Sequence, residues 1–397
     1  MRKKIDLYNV LIVLLSIMLI VILVAGKMKD NKEALKVAEL VRTQEMLSLA
    51  QVTTQTEVPN SNSTSISSVP KNVYEKLNSK ESISILIIGD FIAESDGVED
   101  KNKWNVKLSN NIESLYEVKP TIKLLTLPKG NALTSWSKYM DLEALNKYDL
   151  VFLCYGENDI TDLTIDQFQG LYENIIRRIN TNNPLADIVP IIESSIQLNK
   201  TVPAAIINIS KNYGLSFLDM GAAYKASNVP YNTLSIDGIL PNSAGCDIYA
   251  NIIMKLIKAN VASKKVISST LKDPLYASSK EFDSYKLITT FEENTGFTKN
   301  NELWTSDLKA SALTTKFTGS LIGATVQFGP DCGKLSVLID NKLIKEFDCY
   351  SPVVMEKQIL IAQNLAGDQH TIKLSPARIK APKSTGFKID IVSLFTN

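Results

Sequence analysis

Three short segments of this chain carry the residue types that could do chemistry. Gly89-Asp90-Phe91 and Gly156-Glu157-Asn158-Asp159 directly follow apolar runs, and Asp237-Gly238-Ile239-Leu240 lies shortly before a helix-like stretch. In an open parallel sheet, functional residues collect at the carboxyl ends of the strands. Carboxylates at such a rim, Glu94 among them, can do acid–base work in pairs. Solvated loop acids or structural hydrogen-bond acceptors are the alternative interpretation of these residues.

In order and spacing, the segments resemble the blocks Gly-Asp-Ser, Gly-x-Asn-Asp and Asp-x-x-His of the SGNH (GDSL) hydrolases, a family of esterases. Pro128-Lys129-Gly130-Asn131-Ala132 looks like a further block of that family. The resemblance covers roughly half of the chain and implies an α/β fold with a parallel sheet. It also implies these roles: motif positions at Gly89, Asp90, Gly156 and Asp159, oxyanion-hole donors at Gly130 and Asn158, and the orienting carboxylate at Asp237.

The two positions at which the family carries its reactive groups are apolar in this chain. Phe91 stands where the resemblance implies the serine nucleophile, and Leu240 stands where it implies the histidine base. Acyl transfer of this kind needs a hydroxyl nucleophile and a base within hydrogen-bond reach. In subtilisin, loss of either group costs about 10⁶-fold in turnover. The sequence therefore predicts no Ser–His catalysis, and Asp237 becomes a vestigial position together with Phe91 and Leu240.

Other residues are weak substitutes for the missing pair. Ser95 follows Phe91 in the chain and would need a rearranged loop to act as a nucleophile. Cys246 has no histidine to activate it, because the one histidine of the chain, His370, lies in a different region. We therefore expect Cys246 to be a packing residue and His370 to be a structural or surface imidazole.

Residues 73–262 alternate apolar strands with amphipathic helices, which predicts a three-layer α/β/α domain around a parallel sheet. Strands are predicted over residues 83–88, 122–127, 150–155, 188–192 and 215–218, and helices over residues 104–116, 135–145, 166–179, 204–212 and 243–258. This assignment places the first two chemistry-bearing segments at the carboxyl ends of strands, independently of the family resemblance.

Residues 280–397 change to short β-rich runs separated by turn residues, which predicts an all-β, jelly-roll-like sandwich. The patterns Leu338-Ile339-Asp340-Asn341 and Leu365-Ala366-Gly367-Asp368-Gln369-His370 resemble the β-sandwich modules that accompany SGNH domains in some carbohydrate esterases. That resemblance implies either sugar binding or a structural domain that packs on the α/β domain.

Two of the four cysteines flank a predicted hairpin in this region. Cys332 and Cys349 are equally far from its predicted turn at Asp340-Asn341. If the turn has two residues, these cysteines stand opposite each other and are expected to form a disulfide, which an extracellular location permits. Two unpaired, small apolar residues are the alternative. Cys154 lies in a strongly apolar strand and is expected in the core.

The N-terminal residues 1–26 have the pattern of a membrane anchor. Arg2, Lys3 and Lys4 precede an apolar stretch at residues 7–26, and about 20 apolar residues suffice to cross a bilayer as a helix. The basic residues predict a cytoplasmic N-terminus and an extracellular remainder, hence a single-pass protein of the cell membrane. A cleaved signal peptide is the competing interpretation. Residues 27–72 predict a helical stalk followed by a Ser/Thr-rich linker.

The charge of the chain argues against a nucleic-acid partner, and the spacing of its Cys and His residues argues against a metal site. The formal net charge is +1 and no long run of one sign occurs, so there is no electrostatic case for a nucleic-acid partner. No Cys/His cluster has the spacing of metal ligands, and we expect neither a metal nor a cofactor.

Three functions fit these observations. The first is an inactive pseudo-esterase with a binding or scaffolding role on a surface polysaccharide of the cell envelope. The second is an active esterase or O-acyltransferase on envelope carbohydrate that uses a non-standard nucleophile. The third is a subunit that interacts with other envelope proteins in an assembly machine. The absence of serine at position 91 and of histidine at position 240 favours the first.

Overall fold

The computed structural model of this protein describes residues 70–127, 129–142, 147–268 and 272–397. The predicted anchor, the predicted stalk and most of the linker lie outside the described residues. None of the helices within the described ranges is long and apolar enough to cross a membrane. Pro70–Asn397 forms one compact unit, in which an α/β part is followed by a β-rich part.

A five-stranded parallel sheet forms the centre of the α/β part, with the strand order β2-β1-β3-β4-β5. The strands are β1 (Ser84–Gly89), β2 (Thr121–Thr126), β3 (Leu150–Tyr155), β4 (Asp187–Ile192) and β5 (Leu218–Asp219). β3 and β4 are buried along their whole length, as is typical of parallel strands covered by helices on both faces. The predicted α/β domain with a parallel sheet is confirmed.

Helices cover both faces of this sheet. They are α1 (Val73–Asn78), α2 (Phe91–Glu94), α3 (Trp104–Tyr116), α4 (Ala132–Leu142), α5 (Asp159–Asp162), α6 (Ile165–Asn182), α7 (Thr201–Tyr213), α8 (Met220–Ala226) and α9 (Ser243–Ala262). Alternate residues of β1 enter two apolar clusters: Leu86 and Ile88 pack with Trp136 of α4, whereas Ile85 and Ile87 enter the cluster on the opposite face. This alternation produces the three layers.

The predicted elements of the α/β part are present with shifted ends, and the last strand differs most. It was expected over residues 215–218 and comprises only Leu218–Asp219. Gly214, in the left-handed conformation with φ of 66°, ends α7. The N–H of Leu215 then donates to the carbonyl of Ser210 at 2.9 Å, so the chain is still closing the helix where the strand was predicted to begin.

Two antiparallel sheets form the β-rich part. One has the order β13-β12-β15-β10-β7, and the other has the order β14-β11-β16-β9-β8 with β6 also paired to β16. The strands are β6 (Lys286–Ile288), β7 (Glu293–Thr295), β8 (Thr298–Asn300), β9 (Leu303–Ser306), β10 (Ala312–Thr318), β11 (Ile322–Phe328), β12 (Lys334–Ile339), β13 (Lys342–Asp348), β14 (Met355–Ala362), β15 (Gln369–Pro376) and β16 (Ile389–Thr396). Leu335 and Leu374 of the first sheet share a core with Ala324 and Ile391 of the second. The predicted β-rich C-terminal region is confirmed.

A shared aromatic core joins the α/β part to the β-rich part. Trp136 of α4 lies edge-on to Phe282, Tyr285 and Phe395, with ring centroids 5.4, 5.2 and 5.9 Å away. Its indole N–H donates to the carbonyl of Phe282 at 3.0 Å. Because Phe395 belongs to β16, these contacts hold the outer face of the second sheet against α4.

The cysteines that flank the β12–β13 hairpin are free thiols, which corrects the expected disulfide. The turn at Asp340-Asn341 is as predicted, with φ of 50° and 62°. A β-bulge at Ile344 in β13 then shifts the register, because Val337 pairs with Lys345 and Leu338 pairs with Leu343. Cys349 consequently lies opposite Gly333, whose carbonyl accepts its N–H at 3.1 Å, rather than opposite Cys332. Both thiols are buried.

Candidate functional site

The first two chemistry-bearing segments meet at the carboxyl edge of the parallel sheet. Asp90 follows β1 and caps α2, because its Oδ1 accepts the N–H of Ile92 at 2.7 Å. Asn158 follows β3, and its side-chain N–H₂ donates to Oδ2 of Asp90 at 2.6 Å. The two side chains therefore form one hydrogen-bonded unit across adjacent strands.

Asp159 organises the backbone around that unit. Its Oδ1 accepts the N–H of Ala132 at the start of α4 at 2.7 Å, and its Oδ2 accepts the N–H of Gly156 at 3.0 Å. Gly156 has a φ of 145°, a conformation that residues with a Cβ rarely adopt. The glycine and the aspartate together fix the loop that carries Asn158.

A third carboxyl group, Glu193, completes the cluster and is absent from the sequence prediction. Glu193 directly follows β4, and its Oε2 accepts the N–H of Glu157 at 2.8 Å. The thiol of Cys154 lies 3.7 Å from its Oε1, and the carboxyl group also hydrogen-bonds Asp90. The rule that identified Asp90 and Asn158, namely a polar residue directly after an apolar strand, could have found Glu193 as well.

Burial raises the pKa of all three carboxyl groups. The pKa of Asp90 rises to about 6 and that of Asp159 to about 7, while the pKa of Glu193 rises well above its usual range. Loss of hydration is the main cause, because a charge in the protein interior is costly. The nearby charge of Asp90 raises the pKa values of Asp159 and Glu193 further. Glu193 therefore holds its proton more tightly than an exposed glutamate does, beside the carboxyl group of Asp90.

The carboxyl cluster is closed to solvent. Asp90, Asp159 and Glu193 are 2%, 1% and 1% exposed, and their oxygens bond backbone N–H groups and one another. A general base must lie within hydrogen-bond reach of the proton that it takes from a substrate. These three residues consequently act on the protein's own loops.

Phe91 and Leu240 pack against one apolar cluster. Phe91 is the first residue of α2, and Leu240 lies in the loop before α9. Both are partly buried beside the cluster that contains Ile92 and Tyr224. An aromatic ring and an aliphatic chain supply neither a nucleophile nor a base. The positions that the resemblance assigns to serine and histidine contribute packing instead.

Asp237 stabilises its own loop. Its Oδ1 accepts the N–H groups of Ile239 and Leu240, each at 2.9 Å. The N–H of Ile196, in the segment after β4, donates to the carbonyl of Gly238 at 3.1 Å, which brings this loop to the same rim as the other segments. Asp237 is exposed, and its carboxylate orients backbone where the family would use it to orient an imidazole.

The two expected oxyanion donors already have acceptors within the protein. The N–H of Gly130 donates to the carbonyl of Leu127 at 2.8 Å, and the side-chain nitrogen of Asn158 donates to Asp90. An oxyanion hole needs donors aimed at the position where charge develops. Both groups would have to leave their present acceptors to fill that role.

The remaining candidate residues also have structural contacts. Ser95 is buried, and its hydroxyl accepts the N–H of Trp104 at 3.5 Å. Cys246 is buried, and burial raises the pKa of its thiol. The ring nitrogens of His370 lie 2.7 Å from Oδ2 of Asp340 and 2.9 Å from the carbonyl of Ala366, all in the β-rich part. For Cys246 and His370 these surroundings agree with the packing and structural roles expected from the sequence.

Comparison with known proteins shows which solved structures share this fold. No family model matches the chain, and no curated protein matches it. The crystal structure of a two-domain esterase active on acetylated mannans, co-crystallised with mannopentaose, superposes with a TM-score of 0.69 at 13% identity, over 82% of this chain and 94% of that one. A second structure of a two-domain esterase active on acetylated mannans gives a TM-score of 0.67 at 14% identity, over 82% and 93%. The likeness spans both the α/β part and the β-rich part, and at this identity it establishes the fold alone.

Proposed function

Because this chain has the two-domain fold of an SGNH-type esterase and lacks the Ser–His pair, we propose that it is a pseudo-esterase that binds carbohydrate. Its role is binding or scaffolding on a polysaccharide of the cell envelope. The apolar segment at residues 7–26 holds it in the membrane with its bulk outside the cell. The esterase framework supplies the shape of the molecule, and the chemistry of that framework has been lost.

One observation carries the loss of catalysis: the groups that remain of the catalytic layout are used within the fold. Asn158 and Glu193 hydrogen-bond to Asp90. Asp237 accepts backbone N–H groups of its own loop. Phe91 and Leu240 pack against an apolar cluster. A nucleophile, a base and free oxyanion donors are the minimum for acyl transfer. The second function considered above, an esterase with a non-standard nucleophile, finds no accessible group among these residues.

The carbohydrate class comes from the superposed proteins. Both are esterases active on acetylated mannans, and one was crystallised with mannopentaose. A polysaccharide with hydroxyl-rich, weakly charged chains also suits a protein whose formal net charge is only +1. The anchor supports a location at the cell surface, where such polymers occur.

Restoring the missing pair tests the proposal. The full chain, purified in mild detergent, is compared with Phe91→Ser, Leu240→His and the double variant, using p-nitrophenyl acetate hydrolysis. We expect the native chain and both single variants to match the buffer rate, and the double variant alone to exceed it, because a nucleophile needs its base. Its rate should stay below that of a working esterase, since Gly130 and Asn158 remain bonded to other groups. Hydrolysis by the native chain that either single variant abolishes would contradict the proposal.

A further inference from the structure

A cleft of about 500 Å³ lies between α4 and the outer face of the six-stranded sheet. Ser137, Lys138 and Asp141 of α4 form one wall, and Tyr285 of the connecting segment lines the cleft as well. Volumes of about 300–1,000 Å³ are typical of small-molecule sites. Because α4 starts at the rim with Ala132 and these residues lie farther along it, the cleft is separate from the site described above.

The floor of the cleft is a row of polar side chains on neighbouring strands. Thr325 of β11 is in register with Gln358 of β14 and with Ser393 of β16, and the three residues are only 5%, 3% and 5% exposed. On the same face, Leu360 and Phe395 are apolar and pack on the α/β part. Packing alone would favour apolar residues at the three polar positions too, because burying polar groups is costly unless they are hydrogen-bonded.

Gln358 supplies the strongest sign of a ligand. Its side-chain oxygen is buried and has no hydrogen-bond donor among the described residues. Buried acceptors without a partner are rare in folded proteins and destabilise them. A ligand hydroxyl in the cleft would supply the missing donor.

The charges at the cleft define the class of ligand. Asp141, Glu302 and Glu356 stand against Lys138 and Lys299, and the Lys138 ammonium pairs with Glu356 at 3.3 Å across the two parts of the protein. The surplus of carboxylates disfavours an anion. Hydroxyl groups both donate and accept hydrogen bonds, so they match the Gln–Thr–Ser floor and the carboxylates above it.

We propose that this cleft binds a segment of a neutral oligosaccharide, with one sugar hydroxyl donating to the side-chain oxygen of Gln358. Thr325 and Ser393 bond neighbouring hydroxyls, and the Lys138–Glu356 pair closes the mouth over them. The class of ligand rests on the proposed function, whereas the location is independent of the motif rim. The α/β part and the sandwich together form the site, so neither part is complete without the other.

Titration calorimetry of the full chain in detergent tests the site, with mannopentaose and cellopentaose as neutral probes and pentagalacturonate as the anionic probe. We expect a neutral probe to bind, and Gln358→Leu to weaken that binding about tenfold. Gln363→Leu is the matched control: this glutamine lies just after the same strand and donates to Glu281 at 3.2 Å, so the affinity should be unchanged. Thr325→Val, a change of similar shape, repeats the test if Gln358→Leu does not fold.

The outcomes separate this inference from the proposed function. Binding that is lost in Phe91→Ala and kept in Gln358→Leu would move the ligand to the motif rim, which overturns the cleft and leaves the proposed function standing. Failure of both neutral probes to bind overturns the cleft and the carbohydrate role together. Tighter binding of pentagalacturonate than of either neutral probe overturns the neutral class.

Discussion

Replacing Glu193 by glutamine should stabilise this protein at neutral pH, which is unusual for a change to a fully buried residue. Glutamine has the shape of a protonated glutamate: its oxygen can accept the N–H of Glu157, and its N–H₂ can donate to Asp90 as the carboxyl proton does. The variant therefore keeps the hydrogen bonds of the cluster. It removes only the need to protonate Glu193 when the chain folds.

The magnitude follows from proton linkage. The folded pKa of Glu193 lies well above its ordinary value of 4.5, so the folded state binds a proton that the unfolded state releases. The native chain thus loses stability as pH rises from about 4.5 toward the folded pKa, by about 1.4 kcal/mol for each pH unit. Glu193→Gln does not lose stability in this way, so its advantage over the native chain grows with pH up to the folded pKa. Asp90 and Asp159 titrate in both proteins and cancel in the comparison to first order.

Urea unfolding followed by circular dichroism at pH 4.5 and pH 7.5 measures the difference. We expect the native chain and Glu193→Gln to have similar free energies of unfolding at the lower pH, and the variant to be the more stable protein at the higher pH. Glu173→Gln is the matched control at another fully buried glutamate. There both oxygens accept backbone N–H groups, from Leu275 and Tyr276, so one acceptor is lost and stability should fall by about 1–3 kcal/mol. An equal or lower stability of Glu193→Gln at pH 7.5 would contradict a raised pKa of Glu193 and would show that this carboxyl group is ionised in the folded protein.

Three further changes test the framework by thermal or urea unfolding. Trp136→Ala should cost about 3–5 kcal/mol, because this ring packs on both parts of the protein, and a smaller loss would mean that the shared core contributes little. Gly156→Ala should cost about 1–3 kcal/mol, since its φ of 145° excludes a Cβ; wild-type stability would show that the loop relaxes. Asp159→Asn should cost about 1–3 kcal/mol, because the N–H of either Ala132 or Gly156 loses its acceptor, and no loss would mean that neither bond contributes.

The fold could be predicted from the sequence because its strands are long, apolar and regularly spaced. β3 and the start of α9 are where the pattern placed them, since burial on both faces leaves a continuous apolar run. The prediction for the last strand began too early, because residues from Gly214 onward have a strand-like pattern but still form the closing turn of α7. The predicted disulfide is absent for a similar reason, since the β-bulge in β13 leaves no trace in the residue types.

The candidate site was only partly visible in the sequence. The motif positions Asp90, Asn158 and Asp159 could be named, yet their use as partners of one another depends on side-chain directions that no spacing specifies. Glu193 was missed because it matches no family block, although it follows an apolar strand. The polar row at Gln358 was invisible for a different reason: polar residues that alternate with apolar ones along a strand ordinarily face water. Only the packing of α4 over that face shows that this one is buried.

Acetate release from acetylated mannan by the native full chain measures whether this protein hydrolyses esters. Asn158→Ala serves as the reference, because it removes the side chain with the best claim to an oxyanion donor. We expect acetate release in the presence of either protein to match the rate of buffer alone over many hours. Release by the native chain above that rate, abolished in Asn158→Ala, would contradict this expectation.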